Sequence, residues 1–281
     1  AKMKLPSSEK NMDFSAKADL KRDETIKKLK DLLRNPKMKS RKGVLIFRLA
    51  EQFWQKSKFK YRIEFEEFDA AFNEWVDNGR QGKEPKLANY TRKSEAYKKQ
   101  ALKNYETVLK KYPDYPRLDE VLYIMAFNQY EAGKKEMARR NYSTLIRKFP
   151  DSEYRADSYL ALGEHYFGAN NLIKATKAYT RAYEYGLKRK KPAVFMYALY
   201  KLAWCAFNAQ EYEGALSKFK QVVKQSEKAE NRAKAAASTG GGSRDAIRLK
   251  REALNDMVLT YSQLGVVKDA YVYLGKKAGK E

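Results

Sequence analysis

The apolar residues of the chain recur in one register that returns four times. In each copy an apolar stripe leads into a turn, and an alanine then precedes a large residue by four positions. The clearest copy runs through Tyr159, Leu162, Gly163, Tyr166, Ala175, Tyr179 and Ala182. Equivalent alanines are Ala101, Ala138, Ala175, Ala215 and Ala270, which gives steps of 37, 37, 40 and 55 residues. Such self-similarity is typical of stacked helical hairpins.

Small residues in the first half of each copy predict where the two helices of a hairpin cross. A residue such as Gly163 lets the large side chain of the partner helix, here Tyr179, lie against its backbone. The positions predicted to be buried at these crossings are Ala126, Gly163, Ala203 and Val258. Because one hairpin cannot bury both of its apolar faces, successive hairpins stack on one another. The predicted fold is all-α, a right-handed superhelix (solenoid) of antiparallel helical hairpins.

Turn signals divide the chain into eight segments. Pro36, Pro113 and Pro150 end helices because proline cannot continue a helix interior, and three glycines at 240–242 have high backbone entropy. The segments are a disordered leader (1–12), an N-terminal capping helix (13–42), an oversized hairpin (43–116), three regular hairpins (117–150, 151–191 and 192–228), a flexible loop (229–244) and a C-terminal hairpin or cap (245–281). Two short hairpins within 43–116 are the alternative to the oversized one.

Composition supports the all-helical fold and narrows the chemistry. The 281 residues are 43% hydrophobic and 33% charged with only 14 Gly and 7 Pro, and period-two alternation is almost absent. The single cysteine, Cys205, excludes an internal disulfide and a cysteine-rich zinc site. It lies in an apolar stretch and is interpreted as a buried hydrophobic residue rather than a nucleophile. No apolar run approaches the ~18 residues of a membrane span.

The sequence offers little for catalysis. The only histidine, His165, stands between Glu164 and Tyr166 in the first helix of the clearest copy, where a packed residue is favoured over a general base. No glycine-rich phosphate loop follows a strand, and the acidic residues show no metal-ligand spacing. The sequence therefore predicts a protein that is not an enzyme and that has no cofactor and no metal site.

Aromatic residues on the first helices predict a binding groove. First helices line the concave side of such a superhelix, and tyrosine and tryptophan are over-represented at binding hot spots. The residues predicted to line the groove are Tyr123, Phe127, Tyr130, Leu160, Glu164, Phe167, Tyr197, Tyr200, Trp204 and Phe207. A groove of this composition suits an extended or helical peptide of a partner protein. The alternative is that several of these side chains only pack against neighbouring hairpins.

The formal net charge of +24 is the second global feature. The predicted basic patch comprises Lys188, Arg189, Lys190, Lys191, Arg139 and Arg140. Fields of this size attract anionic membrane surfaces, acidic proteins or polymers, and nucleic acid. Nucleic acid is disfavoured because the aromatic residues do not interleave with the basic clusters in a nucleic-acid-binding motif. For residues 188–191, a solvated loop between hairpins is the alternative to a contact patch.

The spacings of the register resemble those of the tetratricopeptide repeat, a helix-turn-helix unit of about 34 residues. Pro113 and Pro150 come twelve residues after Ala101 and Ala138, where that repeat often ends its second helix. The steps in this chain are longer, which predicts lengthened helices or loops.

Four stretches carry a closer resemblance, at residues 47–54, 112–123, 149–152 and 197–205. They resemble the multi-repeat periplasmic proteins of myxobacteria and predatory deltaproteobacteria, a group that includes adventurous gliding motility proteins. By fold the chain is also similar to the repeat proteins of outer-membrane protein assembly and of the Tol-Pal system. The resemblance implies a non-catalytic scaffold that binds envelope proteins, in the periplasm or at the outer membrane of a Gram-negative bacterium, in mature form after signal removal. The repeat protein of outer-membrane protein assembly is a lipoprotein, and the leader of this chain differs from it because it contains no lipobox cysteine.

Overall fold

The described part of the chain folds only into helices. This computed structural model describes residues 8–235 and 241–278, including the side chains of residues 16–232 and 248–277. Within these residues twelve α-helices follow one another and no strand occurs. The predicted all-α fold of paired helices is therefore confirmed. The chain divides into two compact units, residues 1–121 and 122–281, which are described separately.

The first unit contains a separate helix followed by one long hairpin. Its elements are α1 (Ser8–Arg34), a 3₁₀ helix (Pro36–Arg41), α2 (Lys42–Asp77), α3 (Leu87–Tyr90) and α4 (Arg92–Lys111). α2 is continuous over 36 residues, so the oversized hairpin is not divided into two short ones. Phe47 and Phe53 of α2 contact Tyr105 and Tyr97 of α4, which shows that α4 runs antiparallel to the first part of α2.

The N-terminal helix differs at both ends from the sequence prediction. α1 begins at Ser8, so part of the leader predicted for residues 1–12 is helical, and residues 1–7 lie outside the described residues. Polarity suggested disorder there, but glutamate and lysine have high helix propensity. The capping helix predicted for 13–42 ends at Arg34, where Asn35 caps the 3₁₀ helix by accepting a hydrogen bond from the backbone of Lys37.

A buried lysine links α1 to α2. Lys56 is 3% exposed, and its Nζ lies 3.3 Å from Asp19 Oδ2 and also contacts Asp23. Burial acts to raise the pKa of the Asp19 carboxyl, but hydrogen bonds from Arg22 and Lys56 outweigh it, so this pKa lies below its ordinary value. A carboxylate of lowered pKa stabilises the folded state above its unfolded pKa, and that contribution is lost as the pH falls through the folded pKa.

We therefore expect α1 to loosen from α2 in acid. Protection factors of the α1 amides in hydrogen exchange should fall as the pH drops below about 4, the ordinary pKa of aspartate. Asp19→Asn should weaken protection already at neutral pH, because the neutral amide leaves the buried Lys56 with less compensating charge. Protection factors of the unmodified chain that stay constant down to strong acid would contradict this account.

The second unit is a run of helices joined by short turns. Its elements are α5 (Leu118–Glu131), α6 (Lys135–Lys148), α7 (Arg155–Gly168), α8 (Leu172–Lys188), α9 (Pro192–Asn208), α10 (Tyr212–Ala235), α11 (Gly241–Leu264) and α12 (Val267–Ala278), and the division between units falls inside α5. One core cluster joins α9, α10 and α11 around Ala203, Phe219 and Met257, each fully buried. Apolar stripes at spacings of three and four thus face one another across the helices.

Each hairpin of this unit turns through a residue in the left-handed backbone region. These residues are Gly133, Asn170, Gln210 and Gly265, with φ angles of 74°, 55°, 62° and 70°. Each stands five residues before the alanine that marks the second helix in the sequence pattern. Glycine and asparagine adopt this region at low cost. The turn therefore repeats in register with the apolar pattern.

Three of the four predicted crossing positions are buried. Ala126 and Ala203 are fully buried, and Gly163 is buried against Tyr179, whose ring would overlap a Cβ added to that glycine. The prediction for Val258 was wrong, because this side chain is 54% exposed. The last hairpin packs more loosely than the others: Ala270 is only partly buried, whereas the equivalent alanines of the three preceding hairpins are at most 1% exposed.

The loop predicted for residues 229–244 is helical over most of its length. α10 continues to Ala235 and α11 begins at Gly241, while residues 236–240 lie outside the described residues. Ala229, Ala233 and Ala235 favour a helix. Of the three glycines that suggested a loop, Gly241 and Gly242 lie in the first turn of α11. α10 is consequently longer than the second helices of the preceding hairpins.

Candidate functional site

Most of the predicted groove residues are half-buried. Of the ten, only Phe127 is largely exposed, at 46%, and the other nine are partly buried. They lie on α5, α7 and α9, the first helices of three successive hairpins. Their contacts show how much of each side chain remains for a partner.

Three of these residues surround a lysine. Lys201 Nζ on α9 lies 3.4 Å from Glu164 Oε1 on α7 and 4.2 Å from the centre of the Phe167 ring, and 13% of the lysine side chain is exposed. Tyr179 of α8 donates a hydrogen bond of 2.7 Å to the same Glu164 oxygen. Burial first, and then the charge of Glu164, raises the pKa of Tyr197 to about 12. These groups link α7, α8 and α9, so they stabilise the fold directly.

Tyr200 and Trp204 are bonded to the first helix of the next hairpin. Tyr200 Oη donates a hydrogen bond of 2.7 Å to Asp256 Oδ2 on α11, and Trp204 Nε1 donates one of 3.1 Å to the same oxygen. Both rings pack edge-on against the fully buried Phe219. The polar tips that favoured these residues as binding hot spots are therefore engaged within the protein.

The remaining groove residues either pack on neighbouring rings or reach the surface. Tyr123 stacks on Tyr154 with ring centres 5.0 Å apart, and burial, followed by the charge of Asp157, raises the pKa of Tyr123 to about 12. Those that pack against buried clusters are Tyr130, Leu160 and Phe207. Phe127 is thus the predicted groove residue whose ring is most available to a partner.

The predicted basic patch is divided between two elements. Residues 188–191 comprise the last residue of α8 and the turn to α9. There Lys191 Nζ lies 2.7 Å from Asp157 Oδ2 and donates a hydrogen bond of 2.6 Å to the Glu153 carbonyl. Arg189 donates one of 2.8 Å to the carbonyl of Asp151. The turn therefore fastens two neighbouring hairpins, while the side chains of Lys188 and Lys190 are exposed.

The arginines of the patch lie on α6. Arg140 is exposed, whereas Arg139 donates a hydrogen bond of 2.9 Å to Glu136 Oε2. His165 Nε2 lies 3.3 Å from Glu136 Oε1. The histidine thus takes part in the contact between α6 and α7, in agreement with its interpretation as a packed residue.

A cleft of about 640 Å³ lies between α7 and α8. Its apolar floor consists of Tyr159, Leu162, Tyr166 and Ala178, and its charged rim consists of Lys174, Lys177, Arg181 and Glu184. Glu184 accepts a hydrogen bond of 2.9 Å from Arg181, and Lys174 Nζ lies 5.6 Å from the centre of the Tyr166 ring. The rim is therefore predominantly basic above an apolar floor.

Sequence reasoning missed this cleft although a signal was present. Lys174, Lys177 and Arg181 follow one another at spacings of three and four, which places them on one face of α8. The pattern analysis assigned Tyr159 and Tyr166 to packing, but both rings remain partly exposed. A basic helical face beside unaccounted tyrosines would have indicated the surface.

Cys205 is a buried, free thiol on α9. Burial raises its pKa above the ordinary value for cysteine, so little thiolate forms near neutral pH. We expect Cys205 in the folded chain to react with a thiol reagent at least about tenfold more slowly than in the urea-unfolded chain, measured by absorbance of the released chromophore. Equal rates in the two states would show that the thiol is accessible.

None of the helices in the described ranges is both long and apolar enough to cross a membrane. The same residues contain no group of three or more His, Cys, Asp or Glu side chains placed to hold a metal ion.

Comparisons with known proteins identify the repeats. The family model described as tetratricopeptide repeat matches residues 120–152 and 197–228, which cover most of α5–α6 and of α9–α10. A crystal structure of BtubC (BKLC) from P. vanneervenii is similar at 14% identity and a TM-score of 0.47, over 74% of this chain and 89% of that chain. None of the curated proteins compared with the chain matches it. The chain therefore contains tetratricopeptide repeats at residues 120–152 and 197–228.

Proposed function

We propose that the chain is a non-catalytic protein–protein interaction scaffold whose α7–α8 cleft binds an acidic segment of a partner polypeptide. The tetratricopeptide repeats suggest a scaffold for protein partners. The cleft is the observation that carries the proposal, because it places an apolar floor beside three cationic side chains of α8 and only one carboxylate. An acidic segment with an apolar side chain complements both features.

The aromatic groove is the second candidate surface, supported by the exposed ring of Phe127. Its other strong candidates, Tyr200 and Trp204, already donate hydrogen bonds to Asp256. A partner using their polar tips would have to replace those bonds at a cost of about 1 kcal/mol each. At the cleft, a partner would compete with one such bond, from Arg181 to Glu184.

The cell envelope is the proposed location of this scaffold. The support is the resemblance carried by residues 47–54, 112–123 and 197–205. Fractionation of cells that express the native gene should recover the protein with periplasmic or membrane markers. Recovery with cytosolic markers alone would contradict the location and leave the proposal for the cleft intact.

Site-specific photo-crosslinking tests which surface takes the partner. A photoreactive residue replaces Lys177 at the cleft, Phe127 on the aromatic face, or Lys224 as an exposed control on α10. We expect discrete adducts from position 177, with the crosslink in an acidic segment of the partner. Adducts from position 127 alone would favour the aromatic groove, and equal adducts from all three positions would contradict a localised site.

The charge of the rim provides a quantitative check. Lys177→Glu should weaken binding of the crosslinked segment, prepared as a synthetic peptide, by about tenfold, because it places a carboxylate against an acidic ligand. Lys224→Glu makes the same change in net charge away from the cleft and should alter the affinity less than about twofold. Equal weakening by both variants would show that the affinity depends on the net charge of the protein and not on the cleft.

A further inference from the structure

The last part of α2 extends past the hairpin partner that covers its beginning. Glu64 accepts hydrogen bonds from the backbone N–H groups of Lys93 (2.8 Å) and Ser94 (3.1 Å), so the N-terminus of α4 lies beside Glu64. α2 nevertheless continues to Asp77, and the chain returns to α4 through residues 78–91, which include the short α3. We call residues 61–77 the arm.

A continuous row of aromatic rings runs along the arm. It consists of Tyr61, Phe65, Phe68, Phe72 and Trp75, and successive ring centres are 6.0, 6.0, 5.8 and 5.6 Å apart. The spacing alternates between four and three residues, which is the seam of a coiled coil. From the return segment, Tyr90 contacts Phe68 at 5.7 Å.

One edge of this row remains open to solvent. Tyr61 is 43% exposed, Phe65 is 42% exposed and Val76, beside the row, is 38% exposed. When a partner covers apolar side chains at neighbouring positions along a helix face, the free energy falls because apolar surface is removed from water. The open edge from Tyr61 to Val76 is long enough for about four turns of a second helix.

The arm is acidic in a strongly basic chain. Residues 61–77 carry six carboxylates and one basic residue, Arg62, although the whole chain has 59 basic and 35 acidic residues. Glu64 is buried at the end of α4. The exposed carboxylates of the arm are Glu66, Glu67, Asp69, Glu74 and Asp77. The surface around the ring row is therefore predominantly acidic, although Arg62 lies on the arm and the Arg80 guanidinium lies 5.9 Å from the centre of the Trp75 ring.

We infer that the arm docks a basic amphipathic helix of another polypeptide. Apolar residues at the seam of that helix would cover Tyr61, Phe65 and Val76, and its flanking lysines and arginines would pair with the exposed carboxylates. Docking of two arms from two copies is disfavoured, because it would set five exposed carboxylates against five others across one interface. The inference uses residues of the first unit only and does not depend on the proposed function of the cleft.

Two synthetic helices test the inference. Both have about three heptads with leucine at the seam positions; one carries lysine at the flanking positions and the other carries glutamate. Fluorescence anisotropy at physiological salt should show saturable binding of the lysine peptide to the full chain and none of the glutamate peptide. No binding of the lysine peptide to the unmodified chain would overturn the inference.

Matched variants separate the arm from the general charge of the protein. The pair Glu66→Lys and Asp69→Lys should weaken binding of the lysine peptide by more than about tenfold. The control pair, Glu106→Lys and Asp114→Lys, makes the same charge change at exposed positions of the same unit and should have an effect below about twofold. Equal loss of affinity in both pairs would overturn the inference, because it would show that peptide binding depends on the net charge of the protein and not on the arm.

The apolar seam and the identity of the occupant have their own tests. Phe65→Ser or Val76→Ser should weaken binding of the lysine peptide about tenfold while the far-ultraviolet circular dichroism stays unchanged. Unaltered affinity in both variants would show that these apolar side chains do not contact the peptide and would contradict the inference.

Sedimentation equilibrium of the chain alone tests whether the occupant of the arm is a second copy. A dimer that dissociates in the Glu66→Lys and Asp69→Lys variant would assign the arm to a second copy and contradict the inference of another polypeptide.

Discussion

Gly163→Val is expected to lower the free energy of unfolding by about 3 kcal/mol, the upper part of the usual range for overpacking a buried site. An added Cβ at Gly163 would overlap the ring of Tyr179, with the ring Cζ only 2.9 Å away. The ring has no room to move, since Tyr179 is fully buried and its hydroxyl is bonded to Glu164. Urea unfolding of the full chain, followed by circular dichroism, measures the loss.

Gly168→Val provides the matched control in the same helix. Nothing lies within 4 Å of a Cβ added at Gly168, which is exposed near the end of α7. This substitution should change the free energy of unfolding by no more than about 0.5 kcal/mol, as is usual at a surface site. If both valines destabilised the protein equally, the loss would not come from the crossing of α7 and α8.

Asp256→Ala is expected to cost about 2 to 4 kcal/mol of stability. It removes the common acceptor of Tyr200 and Trp204, so two half-buried donors lose their partner, at about 1 to 3 kcal/mol each. Asp256→Asn keeps an acceptor oxygen and should cost less. Thermal unfolding of both variants, compared with Asn255→Ala at the exposed neighbouring position, measures the difference.

The same contacts change the meaning of mutations on the aromatic face. Replacing Trp204 by alanine removes a donor to Asp256 and leaves space beside Phe219, so it should destabilise the hairpin by about 3 kcal/mol or more. Loss of partner binding in the Trp204→Ala variant would therefore reflect lost folding stability and not a lost contact with the partner. Phe127→Ala tests the face without this effect, because the exposed Phe127 ring contributes little to the core. An Asp256→Ala variant as stable as Asn255→Ala would contradict this interpretation.

Local signals made most of the fold predictable. The apolar period of a hairpin is a local pattern, so Ala175 and Gly163 could be placed correctly without knowledge of any distant segment. The same logic failed at Val258, because its burial depends on how tightly α12 packs, and the aligned pattern carries no measure of that. It also failed between residues 229 and 235, where alanines favour a helix although the glycines at 240–242 suggested a loop.

The predicted aromatic groove was less predictable because its side chains contact residues that are distant in the sequence. Asp256 is separated from Tyr200 by 56 residues and from Trp204 by 52, and no local pattern indicates that one carboxylate takes both donors. The position of Lys201 among Glu164 and Phe167 likewise depends on the stacking of successive first helices. Sequence periodicity thus identified the aromatic face but not how many of its side chains are engaged in contacts within the protein.

A double-mutant cycle between Gly163 and Tyr179 tests most directly whether the hairpins nest through small residues. Tyr179→Val removes the ring atoms that an added Cβ would meet. The account predicts that Gly163→Val costs about 3 kcal/mol in the unmodified chain and less than about 1 kcal/mol beside Tyr179→Val, a coupling of about 2 kcal/mol. An equal cost of Gly163→Val in both backgrounds would contradict the crossing on which the fold is argued to depend.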